Sequence, residues 1–160
     1  VDQVLLGAVC PDVALDGEFL RDDFLNGDFL SQQSVQYRSP AGVEYRSLPD
    51  TGPVARAAKA LAANPGNPEL IIALGSAQAA LRQVREAIQT FTKGITANPN
   101  NALLYRWRGH RYLSLREFDK AQDDFNRGLR IDSTVYGIWY HLGIVRFAKG
   151  DFNGAADAFT

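Results

Sequence analysis

The side chains able to carry chemistry are few in this sequence. His110 and His141 are its only histidines. No Cys, Asp or Glu falls on the matching helical face, so two imidazoles do not complete a zinc site, and they read as solvated or stacking rings. Cys10 is the single cysteine, with no disulfide partner and no metal co-ligand spaced nearby, which makes it a free structural thiol. The acid pairs Asp22-Asp23 and Asp123-Asp124 are chain neighbours that point in different directions on a helix. Neither forms a general acid/base pair, and both read as solvated charge. There is no G-x-S-x-G, P-loop or H-E-x-x-H. The expectation is no catalytic residue, no cofactor, no metal and no enzymatic activity; a third reading makes the chain part of an enzyme whose active site lies elsewhere.

Composition narrows the classes further. The chain has 160 residues, 46% of them apolar and 22% charged, enough for one domain or a few small repeat units. Seventeen basic and eighteen acidic side chains leave a formal charge of −1, so no whole-molecule field draws the protein to nucleic acid or to an anionic membrane. No run approaches the roughly 20 apolar residues that a membrane span needs. We therefore expect a soluble protein with neither nucleic acid nor membrane as partner. The opening VDQVLLGAVC resembles the end of a lipoprotein signal, but it lacks a basic n-region and places Val9 where a small residue is required. That reading is rejected. Without any Met the chain reads as a mature or trimmed product, which leaves its compartment open between the cytoplasm and export.

If chemistry is scarce, the function must lie in a surface, and the elements that build it are legible as a repeat. Gly75, Gly109 and Gly143 are spaced by 34, as are Ala87, Ala121 and Ala155, and Phe91, Phe125 and Phe159. The series Ile71, Tyr105, Trp139, the series Val84, Phe118, Phe152 and the series Leu61, Ile95, Leu129 keep the same interval. Within a unit, Tyr105, Gly109 and Tyr112, then Ala121, Phe125 and Leu129, fall three or four apart, which predicts two successive helices. The break between them falls near Leu115-Arg116-Glu117 and Lys149-Gly150-Asp151. Pro65 and Pro99 stop the second helices, and Ser133 stands in the third equivalent place. Small residues at the glycine and alanine positions let antiparallel helices cross closely, and the aromatics fill the seams.

This register resembles the tetratricopeptide repeat, a 34-residue helix-turn-helix unit. One unit reads W-Y-H-L-G from Trp139 to Gly143, followed by Gly150-Asp151-Phe152, Ala155 and Phe159. The expected fold is all-α, a superhelix of antiparallel helix pairs with a short N-terminal β-hairpin and irregular segment. Units are placed at 68–101, 102–135 and a truncated 136–160, with a degenerate half repeat at 51–67. Its helix starts at Pro53, capped by Thr51 or Asp50. Arg108 and Arg146 depart from the apolar residues that usually pack. Gly94 and Gly128 stand where alanine is common, which predicts looser second helices. The chain stops within the second helix of the last unit, so a continuing chain or a covering partner is expected there.

The resemblance implies a concave wall made by the first helices. Carried over position by position, it gives Ile72, then Arg106, Trp107, His110 and Leu113, then Tyr140, His141, Ile144 and Phe147 as the candidate peptide-binding groove. Such a wall suits a protein or peptide partner offering an apolar anchor and a carboxylate. The alternative is a structural or regulatory domain of a larger protein that self-associates through its C-terminal repeat. Family members that hold heat-shock chaperone tails clamp a terminal carboxylate with Lys, Asn and Arg, where this chain has Ile72, Ser76, Trp107, Gly137 and His141. The clamp is absent. A calorimetric titration with such a tail peptide is expected to give no heat of binding; micromolar affinity would overturn this reading.

Residues 1–50 break the pattern. Phe19-Leu20, Phe24-Leu25 and Phe29-Leu30 recur every five residues, which is neither a helical nor a strand period. Two alternating segments, V-Q-Y-R-S and V-E-Y-R-S, flank Pro40-Ala41-Gly42 and predict a hairpin over 35–46. Val35, Tyr37, Val43 and Tyr45 would share the face that docks on the first helices, leaving Gln36, Arg38, Glu44 and Arg46 to solvent. The hairpin is read as capping the array, with a recognition role as the alternative.

Overall fold

The computed structural model describes residues 33–160. Residues 35–160 form one compact unit. The expectations for Cys10, Asp22-Asp23, the opening segment and the Phe-Leu pairs lie outside the described residues. Two strands, β1 (Val35–Arg38) and β2 (Glu44–Arg46), precede seven helices among the described residues: α1 (Pro53–Ala63), α2 (Pro68–Ala80), α3 (Val84–Ala97), α4 (Ala102–Ser114), α5 (Phe118–Ile131), α6 (Tyr136–Ala148) and α7 (Phe152–Phe159).

The helices start and stop where local chemistry dictates. The Asn67 side chain accepts from the amides of Glu69 and Leu70 at 2.8 and 3.1 Å at the head of α2. Asn101 does the same for Leu103 and Leu104 at 3.0 and 3.2 Å at the head of α4. At α1 the Asp50 carboxylate takes the amides of Gly52, Val54 and Ala55. The turn inside each pair passes through a left-handed residue, at Arg82 (φ 56°), Arg116 (φ 61°) and Gly150 (φ 83°). The first two units hold this conformation with a bulkier side chain than glycine, at a backbone cost of about 1 kcal/mol or more. Tyr105 Oη and Trp139 Nε1 donate to the carbonyls of Pro99 and Ser133, so each aromatic ties its helix to the preceding turn, with or without proline.

Each helix packs on its sequence neighbours, and α2 also meets α4, and α4 meets α6, so the first helices of the pairs line one continuous wall. The core runs between the layers in two clusters. One holds Ile71, Ala87, Phe91 and Leu104; the other holds Ala121, Phe125, Ile138, Leu142 and Val145. A Cβ on Gly75 would run into the Phe91 ring, one on Gly109 would stand 2.7 Å from Phe125, and one on Gly143 2.6 Å from Phe159. The three repeated glycines thus seat the three repeated phenylalanines.

Three expectations are corrected. The second helices are not loose: a Cβ on Gly94 would meet Ile71 at 2.6 Å and one on Gly128 would meet Ile138 at 2.7 Å, so glycine there permits a closer approach than alanine allows. Asp124 is not solvated charge. It is buried and takes Arg108 in a two-pronged ion pair, Nε to Oδ2 at 2.8 Å and Nη2 to Oδ1 at 2.7 Å, which also explains how Arg108 fits a packing position.

The hairpin, thirdly, buries Gln36, which was expected to face solvent, while Arg38 is exposed as expected. The strands pair antiparallel with Val35 opposite Arg46, Tyr37 opposite Tyr45 and Arg38 opposite Glu44, and an irregularity lies between Val35 and Tyr37. Val43 is exposed and Gln36 is buried. The Gln36 side-chain oxygen accepts from the Arg85 amide at 2.8 Å, and its carbonyl accepts from Arg85 Nε at 3.0 Å. The physical reason lies in α3, a second helix. Its N-cap, Gln83, offers no side-chain hydrogen bond to the first turn, so an orphan amide needs an acceptor that an apolar residue could not supply. The strand after the hairpin extends the docking, with the Leu48 amide donating to Leu81 O at 2.7 Å.

Candidate functional site

The wall of first helices places the nine candidate residues in three groups. Tyr140 and Phe147 on α6 are exposed, at 46% and 63%. Ile72, Arg106, Trp107, Leu113 and Ile144 are half-buried. His110 and His141 are each 7% exposed, so neither is a solvated ring. Ile72 and Trp107 pack against the first core cluster and Leu113 against the second. Trp107 stacks on Phe91 with centroids 6.4 Å apart and planes at 17°.

Where α4 meets α6 the polar candidates come together. The His110 and His141 rings lie 4.4 Å apart, and His141 rests on Phe125 at 5.7 Å and meets the edge of Tyr140 at 5.4 Å. The Arg106 guanidinium lies over the Trp107 ring at 5.1 Å. It crosses Gly137 so closely that a Cβ there would stand 2.5 Å from Arg106 Nε. Two groups here were not anticipated as partners. Arg111 is buried beside His110 and its Nη2 stands 2.7 Å from His110 Nδ1. The Gly137 carbonyl stands 2.5 Å from His141 Nδ1. Gly137 was signalled by the register that placed it on the wall; nothing in the sequence singled out Arg111.

These contacts set the proton inventory. A guanidinium only donates, so His110 Nδ1 is the acceptor, and the neutral ring carries its proton on Nε2. A carbonyl only accepts, so the neutral His141 ring carries its proton on Nδ1 and leaves the Nε2 lone pair open. His110 Nε2 and Arg106 Nε are both buried without a hydrogen-bond partner. Burial, reinforced by Arg111, His141 and Arg106, pushes the His110 imidazole down to about 2. Burial also pushes His141 down, against the pull of the Gly137 carbonyl. Arg106 is pushed down by burial, with no carboxylate to counter it. The result is a buried corner rich in N–H donors and without an anionic group of its own.

Among the described residues no group of three or more His, Cys, Asp or Glu is placed to hold a metal ion, and no helix is long and apolar enough to cross a membrane. A shallow depression of about 350 Å³ is lined by Arg116, Glu117, Phe118, Asp119, Lys120 and Lys149. It sits at the α4–α5 turn and involves none of the candidate wall residues. Lys149 closes one side by reaching Asp119 and Gln122 at 2.7 Å each.

A stack of antiparallel helix pairs with a continuous wall of first helices is an α-helical repeat solenoid, a class whose concave surfaces serve as protein-interaction scaffolds. The tetratricopeptide repeat family model matches residues 54–107, and the helix pairs of this chain have a fold like that of tetratricopeptide repeats. Three solved structures are similar. MamA from Desulfovibrio magneticus RS-1 aligns with TM-score 0.59 and 22% identity over 66% of this chain and 60% of that one. The thermophilic tetratricopeptide protein TTC0263 of Thermus thermophilus gives 0.62 and 23% over 66% and 59%. The repeat domain of Arabidopsis OM64 gives 0.56 and 26% over 57% and 76%. Another MamA structure is matched over 61% of its length, so this chain spans about three fifths of such relatives. No curated protein sequence matches.

Proposed function

We propose that the chain is a non-catalytic scaffold that takes an extended segment of a partner protein along the wall of α2, α4 and α6. The observation that carries this is the Arg106 corner: a half-buried guanidinium held over Trp107 with no acid beside it, next to the exposed Tyr140 ring. A cation left without a counter-charge against aromatic surface suits a segment that brings a carboxylate and an apolar anchor. Trp107 supplies an intrinsic fluorescence reporter. In titrations with short peptides pairing an aromatic with an acidic residue, Arg106→Glu and Tyr140→Ala are each expected to weaken binding by about tenfold or more. Unchanged affinity in both variants would place the binding surface elsewhere.

A second reading rests on a different observation. Tyr136, Phe147, Phe152 and Phe159 are all exposed on the last helix pair, and such a patch suits self-association. Light scattering separates the two, because a stable dimer would double the solution mass while peptide binding leaves it unchanged.

A further inference from the structure

The second helices carry a series that the wall of first helices does not use. Lys59 on α1, Lys93 on α3 and Arg127 on α5 keep the 34-residue interval, and all three are exposed. We infer that this column of cations is a second docking surface, and that its occupant is an extended acidic segment of a partner protein laid across α1, α3 and α5. The column shares no residue with the nine wall candidates, so it stands apart from the groove reading.

The near-neutral charge of the chain hides a division. Of its 17 basic and 18 acidic side chains, one and seven fall in residues 1–32, which leaves sixteen and eleven in residues 33–160 and a formal charge of +5 there. Most of those acids are already engaged: some hold cations, as Asp124 holds Arg108, and others accept backbone amides at helix starts and turns, as Asp50 does. The column is not engaged. Among the described residues none of its three cations has an ion-pair partner, whereas the two other lysines, Lys120 and Lys149, hold Glu117 and Asp119. No acid occurs in α1, and α3 has one, Glu86, in its first turn. On α5, Asp119 and Asp124 are taken by Lys149 and Arg108, which leaves Asp123, one turn before Arg127 and not paired with it. Arg56 and Arg130, one turn from the column on α1 and α5, are exposed as well and keep the local sign positive.

The layout of the column selects the kind of partner. It is single file, one cation per second helix, and on α1 and α3 the exposed residues one turn to either side are Ala55 and Ala62, then Gln89 and Thr96, all uncharged. Anionic membranes and nucleic-acid backbones are held by dense clusters of Lys and Arg, which this surface lacks. A single strand crossing the helices meets one cation at each step. Packed helices lie about 8–10 Å apart, so second helices with one first helix between them are at most about 20 Å apart. At about 3.3 Å per residue, an extended chain spans that step in about six residues or fewer. Acids repeated at such an interval would therefore each meet a cation. Because these charges face solvent, the contact is screened by salt and sets register and encounter rate more than affinity.

The test uses the whole chain, a labelled peptide amide of three Glu-Ser-Gly-Ser blocks and its Gln counterpart, read by fluorescence anisotropy at low salt and by NMR amide shifts. The Glu peptide is expected to bind and to shift amides on α1, α3 and α5, and the Gln peptide to do neither. Raising the ionic strength from about 20 to 150 mM is expected to weaken binding by about tenfold. Lys59→Glu, Lys93→Glu and Arg127→Glu, all at exposed positions, are each expected to weaken it by about threefold or more. Arg82→Glu makes the same change of net charge at an exposed turn position off the column and is expected to leave affinity within about twofold. Equal losses in all four variants would reduce the effect to net charge and overturn the inference. Tighter binding to anionic-lipid vesicles or to an oligothymidylate than to the peptide would overturn it as well. Shifts confined to α2, α4 and α6 would move the acidic segment to the wall, which removes this surface and leaves the groove reading standing. Absence of binding would also remove it without touching the groove reading, because these peptides carry no apolar anchor.

Discussion

Arg108→Met is expected to lower the folding stability at neutral pH by about 3–5 kcal/mol, because it strands a buried carboxylate. Asp124 is 8% exposed at its side chain and Arg108 18%, so solvent screens the pair little. The guanidinium also donates to Thr92 Oγ1 at 3.1 Å and lies 5.9 Å from the Tyr105 and Tyr112 rings, tying α3, α4 and α5 together. Hydrogen bonding to Asp124 holds Arg108 more firmly charged, while burial pushes the Asp124 carboxyl up against the pull of Arg108. Without Arg108 only the upward push remains. A carboxyl raised on folding binds a proton more tightly in the native than in the unfolded chain, so its stability contribution is present at low pH and is lost as pH rises through the folded value. The deficit of Arg108→Met relative to the parent should therefore shrink in urea melts as pH falls from neutral toward about 4 to 5. Arg108→Met combined with Asp124→Leu should recover most of the loss, since an apolar pair of similar volume replaces the ions without desolvation cost. A deficit that is independent of pH, or a double variant no better than the single, would show that the pair matters by packing alone.

The same pair shows what a period can and cannot reveal. The 34-residue interval names positions, and positions suffice wherever both partners repeat: Gly75 under Phe91, Gly109 under Phe125 and Gly143 under Phe159 follow from spacing alone. Arg108 and Asp124 do not repeat as a pair, so Arg108 reads only as a departure at a packing position and Asp124 as solvated charge, and only the approach of α4 and α5 turns them into one buried unit. Gln36 belongs to the same class, since the acceptor it supplies to α3 lies far along the chain and no local pattern announces it. At the candidate site, the register puts Arg106, His110 and His141 on one wall. It carries no information on burial or tautomer, which Arg111 and the Gly137 carbonyl decide from neighbouring positions.

Phe125→Ala is the second large effect, expected to cost about 3–5 kcal/mol by lost transfer energy and an unfilled cavity. The ring is fully buried, Gly109 faces it with no side chain to relax into the space, and His141 lies against it. Repeat arrays hold together through nearest-neighbour interfaces, so a defect need not spread evenly. The Phe91 cluster, with Ile71, Ala87 and Leu104, is a separate body of core that Phe125 does not join. Native-state hydrogen exchange should accordingly lose protection in α5, α6 and α7 first, while α2 and α3 keep theirs. Because the His141 ring is seated on Phe125, the same variant should also loosen the imidazole corner. Peptide affinity on the wall is then expected to fall even under conditions where α2 and α3 remain folded. Equal loss of protection in every helix would mean that the array unfolds as one block, and the wall would have to be treated as a single cooperative surface from α2 to α6.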